Sequence, residues 1–246
     1  MRKHIFFLTV AFLHIIALSS TAKTDFDIRA GINLGGTSPL PLPQEIRHIN
    51  SYGSFIYPAV EAGANFHLKN KWGIRTALRF EMKGMSTSAD VKSYKTSITG
   101  DDGSSLSGYY TGVNETEARA TMLTIPLTAA FRISNRFQLY AGPYMSLLLS
   151  GKFKGNVHDG YLRVGNPTGD KIAYYGDASS QFDFSDNLKT TQFGVNVSAD
   201  YYFMRDKLLA SLALNWGLSN IFESSFQTIS FNMYPIYGCL SLGYRF

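Results

Sequence analysis

The sequence has 246 residues, a formal net charge of +5 at pH 7, and only 17% charged against 14% aromatic side chains. Soluble domains carry about 25% charged residues, so this composition disfavours an ordinary soluble domain, and no basic stripe indicates a nucleic-acid partner. A mean hydropathy of −0.06 excludes a bundle of transmembrane helices, and the single Cys239 excludes an internal disulfide.

The first 22 residues have the pattern of a secretory signal. Arg2 and Lys3 precede a largely apolar run, and Ser20 and Ala22 supply the small residues of a cleavage site. The run covers residues 5–18, which is shorter than the roughly 20 residues that a membrane-spanning helix needs. The sequence therefore predicts a cleaved signal peptide over 1–22 and a mature domain over 23–246.

Eight segments of the mature domain alternate apolar and polar side chains with the two-residue period of a β-strand. In chain order they cover residues 26–34, 55–68, 72–83, 123–133, 137–147, 192–203, 208–218 and 236–246. A soluble β-sandwich also alternates in this way. The segments are, however, about as long as tilted membrane strands, for which roughly 9–11 residues suffice.

The connections between these segments alternate in length. Short polar turns lie at 69–71, 134–136 and 204–207, whereas long connections cover about 38–53, 84–117, 150–190 and 219–233. Aromatic residues cluster beside the short turns, as in the interfacial girdle of an outer-membrane barrel. These features predict an all-β fold: an eight-stranded antiparallel up-and-down transmembrane β-barrel with short periplasmic turns and long extracellular loops.

Two prolines conflict with this assignment. Pro126 and Pro143 fall in the middle of predicted strands, where the missing N–H removes a ladder hydrogen bond. We expect a local bulge to accommodate each of them.

Four short stretches resemble the PorT-type outer-membrane barrel family. They are Leu123-Thr124-Ile125-Pro126-Leu127, Tyr140-Ala141-Gly142-Pro143-Tyr144, Trp216-Gly217-Leu218-Ser219-Asn220-Ile221 and the final Leu240-Ser241-Leu242-Gly243-Tyr244-Arg245-Phe246. The resemblance covers most of residues 24–246 and implies a barrel in the cell outer membrane of a Gram-negative bacterium. It also implies that Leu240, Leu242, Tyr244 and Phe246 form a signal for the outer-membrane assembly machinery. The family's namesake is associated with protein secretion, which implies a secretion-system or surface protein as a partner.

Charged residues on the inward faces of the strands predict an ion-pair network in the lumen. The network is assigned to Arg29, Glu61, Arg75, Arg79, Glu81 and Asp200, and the other charges expected in the lumen are Asp27, Arg132 and Arg245. The turn at 69–71 and the apolar pattern place Glu61 opposite Arg79, because a one-residue slip would turn the apolar set inward. A barrel of eight strands is only wide enough for its own side chains or one small ligand. We therefore expect a plugged interior.

Other functions remain open at this stage. A narrow pore or a barrel that binds a small ligand is the first alternative, and a lipid-modifying barrel enzyme is the second. For such an enzyme the candidate pairs are His48 with Ser51 and His158 with Asp159. His48, His67 and His158 lack the spacing of a metal site, and we expect no metal, cofactor or catalytic residue.

The leading hypothesis is a non-enzymatic outer-membrane barrel with a structural, adhesive or assembly role. Its expected surroundings are outer-membrane lipid and lipopolysaccharide. The long loops 84–117 and 150–190 are the expected working surface, because loops on a rigid scaffold carry recognition.

Overall fold

The computed structural model describes residues 23–53, 55–99 and 105–246; the predicted signal peptide lies outside these ranges. These ranges form ten strands and one short 3₁₀-helix. The strands are β1 (Thr24–Pro39), β2 (Ile46–Gly53), β3 (Tyr57–His67), β4 (Trp72–Thr99), β5 (Ser105–Arg132), β6 (Phe137–Val164), β7 (Lys171–Asp183), β8 (Thr191–Phe203), β9 (Leu208–Gly217) and β10 (Met233–Arg245), with the 3₁₀-helix at Ser185–Asn187. Within these ranges, no helix is long and apolar enough to cross a membrane.

Eight of the strands form a closed antiparallel ring. Its order is β1, β3, β4, β5, β6, β8, β9 and β10, and the pairing of β10 with β1 closes it. Each of these eight strands includes nearly all of one of the eight segments that the alternating pattern predicted, so the predicted barrel is confirmed. The short connections 68–71, 133–136 and 204–207 all lie at one end of the ring, here called the inner end.

The barrel is apolar outside and polar inside. Along β1, Phe26 is 58% exposed whereas its neighbour Asp27 is 1% exposed. Leu78 and Arg79 on β4 show the same contrast, since Leu78 is exposed and Arg79 is buried. A soluble sandwich would bury the apolar face, so this inverted arrangement is that of a barrel surrounded by lipid.

The long connections are largely strands and not loops, which corrects the sequence-based expectation for 84–117 and 150–190. The strands β4, β5 and β6 each contain 28 residues. They remain paired well beyond the lipid-facing segment, from Met82↔Thr121 to Thr99↔Ser105. Polar residues predominate on the outer faces of these extensions, so their sequence lacks the apolar–polar alternation that predicts the lower parts of the same strands.

Two further strands join the ring at its outer end. β2 pairs with β4 from Gly53↔Ser86 to Ile46↔Val91. β7 pairs with β6 between Lys154↔Asp183 and Arg163↔Lys171, and it meets the tip of β4 at Thr99↔Gln181. We call the outer parts of β4, β5 and β6 together with β7 the platform; it comprises residues 86–99, 105–117, 154–164 and 171–183.

The prolines interrupt the ladder without shifting it, so the expected bulges are wrong. The β4–β5 register passes from Thr76↔Leu127 to Arg79↔Thr124 and omits the pair that would include Pro126. The β5–β6 register likewise omits Pro143. A missing N–H removes one hydrogen bond, and the pairs on either side are sufficient to hold the register.

The orientation of the barrel gives a first testable prediction. We expect the inner end to face the periplasm, so that Asp170→Cys, in the exposed β6–β7 connection, reacts with a membrane-impermeant maleimide on intact cells. Asn135→Cys, in an exposed turn at the inner end, should react only after the outer membrane is permeabilised. The natural Cys239 is buried, and the parent protein measures the background. If only Asn135→Cys were labelled on intact cells, the inner end would face the outside of the cell, opposite to this prediction.

Candidate functional site

The interior of the barrel contains a set of eight charged side chains, here called the lumen network. All are buried, and they comprise four acids and four bases, so the set is neutral. The members are Asp27, Arg29, Glu61, Arg75, Arg79, Glu81, Lys83 and Asp200. Their positions follow from alternation, because β1, β3, β4 and β8 each turn every second residue inward.

Glu61 is the central acceptor of the network. Arg79 Nε donates to its Oε2 at 2.6 Å, and Arg75 Nη2 donates to its Oε1 at 2.5 Å. Arg29 Nε is 3.6 Å from the same Oε1. The register that places Glu61 opposite Arg79 is observed directly. One carboxylate thus contacts three guanidinium groups, which β1 and β4 project from either side.

The remaining acids complete the balance at both ends of the network. Arg29 lies 2.6 Å from Asp27 and 2.9 Å from Asp200, and Arg75 is 2.8 Å from Asp27. Towards the outer end, Lys83 Nζ donates to Glu81 at 2.8 Å. The six residues predicted for the network lie together with Asp27, also expected in the lumen, and with Lys83. Arg132 and Arg245, the other two charges expected there, lie instead at the inner mouth.

Little space remains inside the network. The cavity beside Arg29, Glu61, Arg79 and Cys239 has a volume of about 20 Å³. One water needs about 10–15 Å³, so this space suits about one water and no solute.

A second layer, the outer aromatic core, closes the barrel above the network. Phe153 of β6 and Phe222 of the β9–β10 connection are 2% and 1% exposed, and their ring centroids are 4.9 Å apart. Phe226 contacts Phe222 and Phe184 at 4.7 and 5.1 Å. Met85 and Met233 belong to the same cluster. The β9–β10 connection therefore folds into the outer mouth of the barrel.

The connection is held there by backbone hydrogen bonds. Ile221 N–H donates to the Met233 carbonyl at 3.0 Å, and Glu223 N–H donates to the Asn187 carbonyl at 2.9 Å. The spacing of the alternating segments predicts a loop over 219–233 and does not predict this layer. The apolar residues Ile221, Phe222, Phe226, Ile229 and Phe231 within one connection are the signal that could have revealed it.

The inner mouth contains a smaller polar cluster. Arg132 can only donate, and its Nη2 lies 2.9 Å from Nδ1 of His67. His67 therefore carries its proton on Nε2, which donates to Asp25 at 2.7 Å. Arg245 stacks on the ring of Tyr202, with 4.4 Å between Cζ and the ring centroid. These residues surround a polar mouth of about 330 Å³.

The two candidate catalytic pairs do not form a hydroxyl–imidazole–carboxylate arrangement among the described contacts. His48 Nδ1 lies 3.0 Å from Asn50 Oδ1, and Asn50 itself donates to Asp90. Both ring nitrogens of His158 face carboxylates, at 2.8 Å from Asp159 and 3.6 Å from Glu115. In the described parts of the chain, no group of three or more metal-ligating side chains is present.

Groups of the platform show shifted acidities. Burial raises the pKa of Tyr94 and of Tyr110 above the ordinary range. Hydrogen bonds from Ser185 lower the pKa of Asp183, which lines a polar groove of about 690 Å³ on the platform. Ser88, Glu115, Lys154 and Gln181 are other members of its lining, so the groove offers both charge signs and several hydroxyl and amide groups.

The residues of the expected assembly signal lie on β10 and just after it. Leu240, Leu242, Tyr244 and Phe246 are exposed on the lipid-facing side. Phe246 N–H donates to the Phe26 carbonyl at 2.9 Å, and the Tyr244 and Phe246 rings are 5.3 Å apart.

Deletion of Phe246 tests whether this face directs assembly. The deletion removes one exposed ring and one hydrogen bond, so we expect only a small change in the stability of the refolded barrel. We expect a large fall in the outer-membrane fraction, with periplasmic accumulation measured by cell fractionation. Deletion variants that reach parental membrane levels would contradict a terminal sorting signal. Leu212→Ala, an exposed lipid-facing change on β9, is the control.

Comparison with known proteins gives the following similarities. A family model described as "Outer membrane protein beta-barrel domain" matches residues 19–223. Among solved structures, Ail, the attachment invasion locus protein of Yersinia pestis, is 9% identical with a TM-score of 0.40 over 91% of this chain and 99% of that chain. Neisserial surface protein A is 10% identical, with a TM-score of 0.37 over 91% and 99%. OprG from Pseudomonas aeruginosa is 14% identical, with a TM-score of 0.33 over 92% and 97%. No curated protein sequence matches the chain.

Proposed function

The chain belongs to the outer membrane protein beta-barrel domain family, and we propose that it is a closed, non-enzymatic anchor that presents the platform at the cell surface. The PorT type, and with it a secretion-system or surface-protein partner, is part of this proposal. The observation that carries it is the double closure of the interior, by the lumen network and by the outer aromatic core. A barrel closed twice is suited to holding a structure in the membrane and not to conducting solutes.

The alternative of a narrow pore is tested by conductance. The lumen network fills the ring with paired side chains, and the outer aromatic core covers it with apolar rings. We expect the purified barrel to give no stable channel steps in planar bilayers at moderate voltage. An outer-membrane porin purified in the same detergent is the positive control. Stable, reproducible openings of the parental protein would overturn the closed-anchor proposal.

The platform supports the surface-binding part of the proposal. Its strands rest on the outer aromatic core, which includes Val91, Ile98 and Leu162, and they are paired by hydrogen bonds. The polar groove on it therefore has a rigid lining. Such a groove fits a polar partner, for example the sugars of lipopolysaccharide or an extended segment of a surface protein.

Photo-crosslinking in living cells tests this role. A photoreactive phenylalanine analogue at Ser88 or Gln181 in the polar groove should yield an adduct of discrete mass. The same analogue at Asp170, exposed outside the groove, is the matched control. We expect the adduct to disappear when the groove carries Glu115→Ala and Lys154→Ala together. Adducts of equal yield at the groove and control positions would contradict a specific binding surface.

A further inference from the structure

The wall of the barrel has a gap at its outer end, beside β1. The short strand β3 pairs with β1 only as far as Asn33↔Tyr57 and with β4 only as far as Ala59↔Glu81. Both neighbours continue outward, β1 to Pro39 and β4 to Thr99. β2 takes the place of β3 on β4, but among the described pairings no ladder joins β2 to β1. Among the described residues, the wall there lacks the strand-to-strand ladder that closes it elsewhere.

An apolar groove, here called the lateral groove, occupies this gap. Its volume is about 350 Å³, within the range of about 300–1,000 Å³ typical of small-molecule sites. Its floor consists of residues from the outer aromatic core, and its outer edges come from the segment after β1 and from β2. The floor includes Met85, Tyr94 and Phe231, and the edges include Leu42, Ile49 and Tyr52.

The lateral groove is continuous with the lipid-facing surface. Leu34, the last outward apolar residue of β1, is exposed, and Gly35 directly after it lines the groove. Leu42 and Ile49 line the groove and are 54% and 51% exposed. Ile56, which precedes β3, is 68% exposed. Exposed apolar residues therefore lead from the lipid-facing belt to the groove, and the same lipid chains that cover the belt can reach it.

The lateral groove also contains one unpaired polar group. Asn114 of β5 lines the groove and is 7% exposed, and its Oδ1 has no hydrogen-bond partner among the described residues. Buried polar atoms in proteins are nearly always hydrogen-bonded. Because this oxygen has almost no accessible surface, the hydroxyl group of an occupant of this largely apolar site would satisfy it once the Asn114 side chain turns towards the groove.

We propose that the lateral groove binds one acyl chain of an outer-leaflet lipid, which enters sideways between β1 and β2, and that a hydroxyl on the chain donates to Asn114. Binding of an acyl chain goes beyond the proposed anchoring function, since a closed anchor requires no lipid inside its wall. Shape, apolar lining and continuity with the lipid favour a chain over a free polar solute.

Quenching of a single tryptophan by brominated lipid tests the first part. Trp72 and Trp216 are the two natural tryptophans, and both are exposed. The combined change Trp72→Phe with Trp216→Phe therefore gives a protein without tryptophan fluorescence. Into it we place Phe231→Trp, at the groove floor, or Phe226→Trp as the matched control. Both phenylalanines are partly buried members of the β9–β10 connection that pack on the same core, and only Phe231 lines the groove.

The variants are reconstituted in phosphatidylcholine vesicles with or without dibrominated acyl chains. We expect at least twofold stronger quenching for Phe231→Trp than for Phe226→Trp. Adding Ala89→Phe, which fills the groove from β4, should reduce the difference to none. Folding of each variant is verified by heat-modifiable mobility. Equal quenching at both positions, or quenching that Ala89→Phe leaves unchanged, overturns the acyl-chain site.

Competition tests the hydroxyl. In the Phe231→Trp protein, 3-hydroxytetradecanoic acid should relieve quenching at an about fivefold lower mole fraction than tetradecanoic acid, as one net hydrogen bond would give. Asn114→Leu should abolish this difference while quenching by the brominated chains persists. Equal potency of the two acids in the parental groove overturns the role of Asn114. None of these results depends on conductance or on surface binding, so they are distinct from the tests of the anchor.

Discussion

Replacing Glu61 with alanine should lower the free energy of unfolding by about 3–5 kcal/mol, because the change removes the carboxylate that the buried Arg75 and Arg79 share. Arg79 loses its partner at 2.6 Å and Arg75 its partner at 2.5 Å. Denaturant titration of the barrel in lipid vesicles measures the change.

The double mutant isolates the pair. The combined change Glu61→Ala with Arg79→Ala should lower the free energy of unfolding by about 1–3 kcal/mol less than the sum of the two single changes. The reason is that Arg79→Ala removes the charge that Glu61→Ala leaves unpaired. Glu117→Ala is the matched control, because Glu117 pairs with Arg119 at an exposed site on β5 and such pairs contribute about 0–1 kcal/mol. Strict additivity would indicate that Glu61 and Arg79 stabilise the barrel independently.

Replacing Phe222 with alanine should cost about 3–5 kcal/mol, as large-to-small changes of buried aromatic residues do. Phe222 is almost fully buried and contacts both Phe153 and Phe226, so a cavity would remain at the outer mouth. Phe193→Ala, on the exposed face of β8, removes the same ring from lipid and leaves no cavity. We expect a clearly smaller loss for it in the same denaturant titration.

The Phe222→Ala variant also tests whether the lumen network closes the barrel without the outer aromatic core. Because the lumen network lies below Phe222, the Phe222→Ala barrel should remain closed in planar bilayers despite its lower stability. Glu61→Ala alone should also remain closed, since the aromatic rings still cover the mouth. Channel steps from either single variant would show that the remaining layer does not close the barrel by itself.

The membrane-spanning part of this fold could be predicted because lipid imposes a simple rule on its sequence. Every second residue of each strand meets hydrocarbon, so Phe26, Ile28 and Ile32 alternate with Asp27 and Arg29. The turn between β3 and β4 then fixes the register, and with it the partner of Glu61. These are local constraints, and a single sequence carries them.

The platform could not be predicted in the same way. Above the membrane both faces of a strand can be polar, and β2 is exposed along almost its whole length. Register shifts at Val91/Tyr94 and at Thr111/Val113 break the two-residue period. The outer parts of β4 and β5 therefore have the sequence pattern of polar loops.

The outer aromatic core and the lateral groove were missed for another reason. Each is assembled from segments far apart in the chain, such as Phe153 with Phe222. The apolar residues of 219–233 indicate that this connection is buried, but only the closed fold shows which segments it packs against. The groove depends in addition on the early end of β3, which alternation alone does not reveal.

We expect the charges on β4 also to disfavour misaligned strands during barrel assembly. Arg75, Arg79, Glu81 and Lys83 all point inward from this one strand. A one-residue slip against β3 or β5 would turn all four into the hydrocarbon, where an arginine or lysine costs about 2–4 kcal/mol at the bilayer midplane. A misaligned intermediate would therefore be expelled from the bilayer or realigned before the ring closes. The same four charges that form much of the lumen network thus favour the native register of β4.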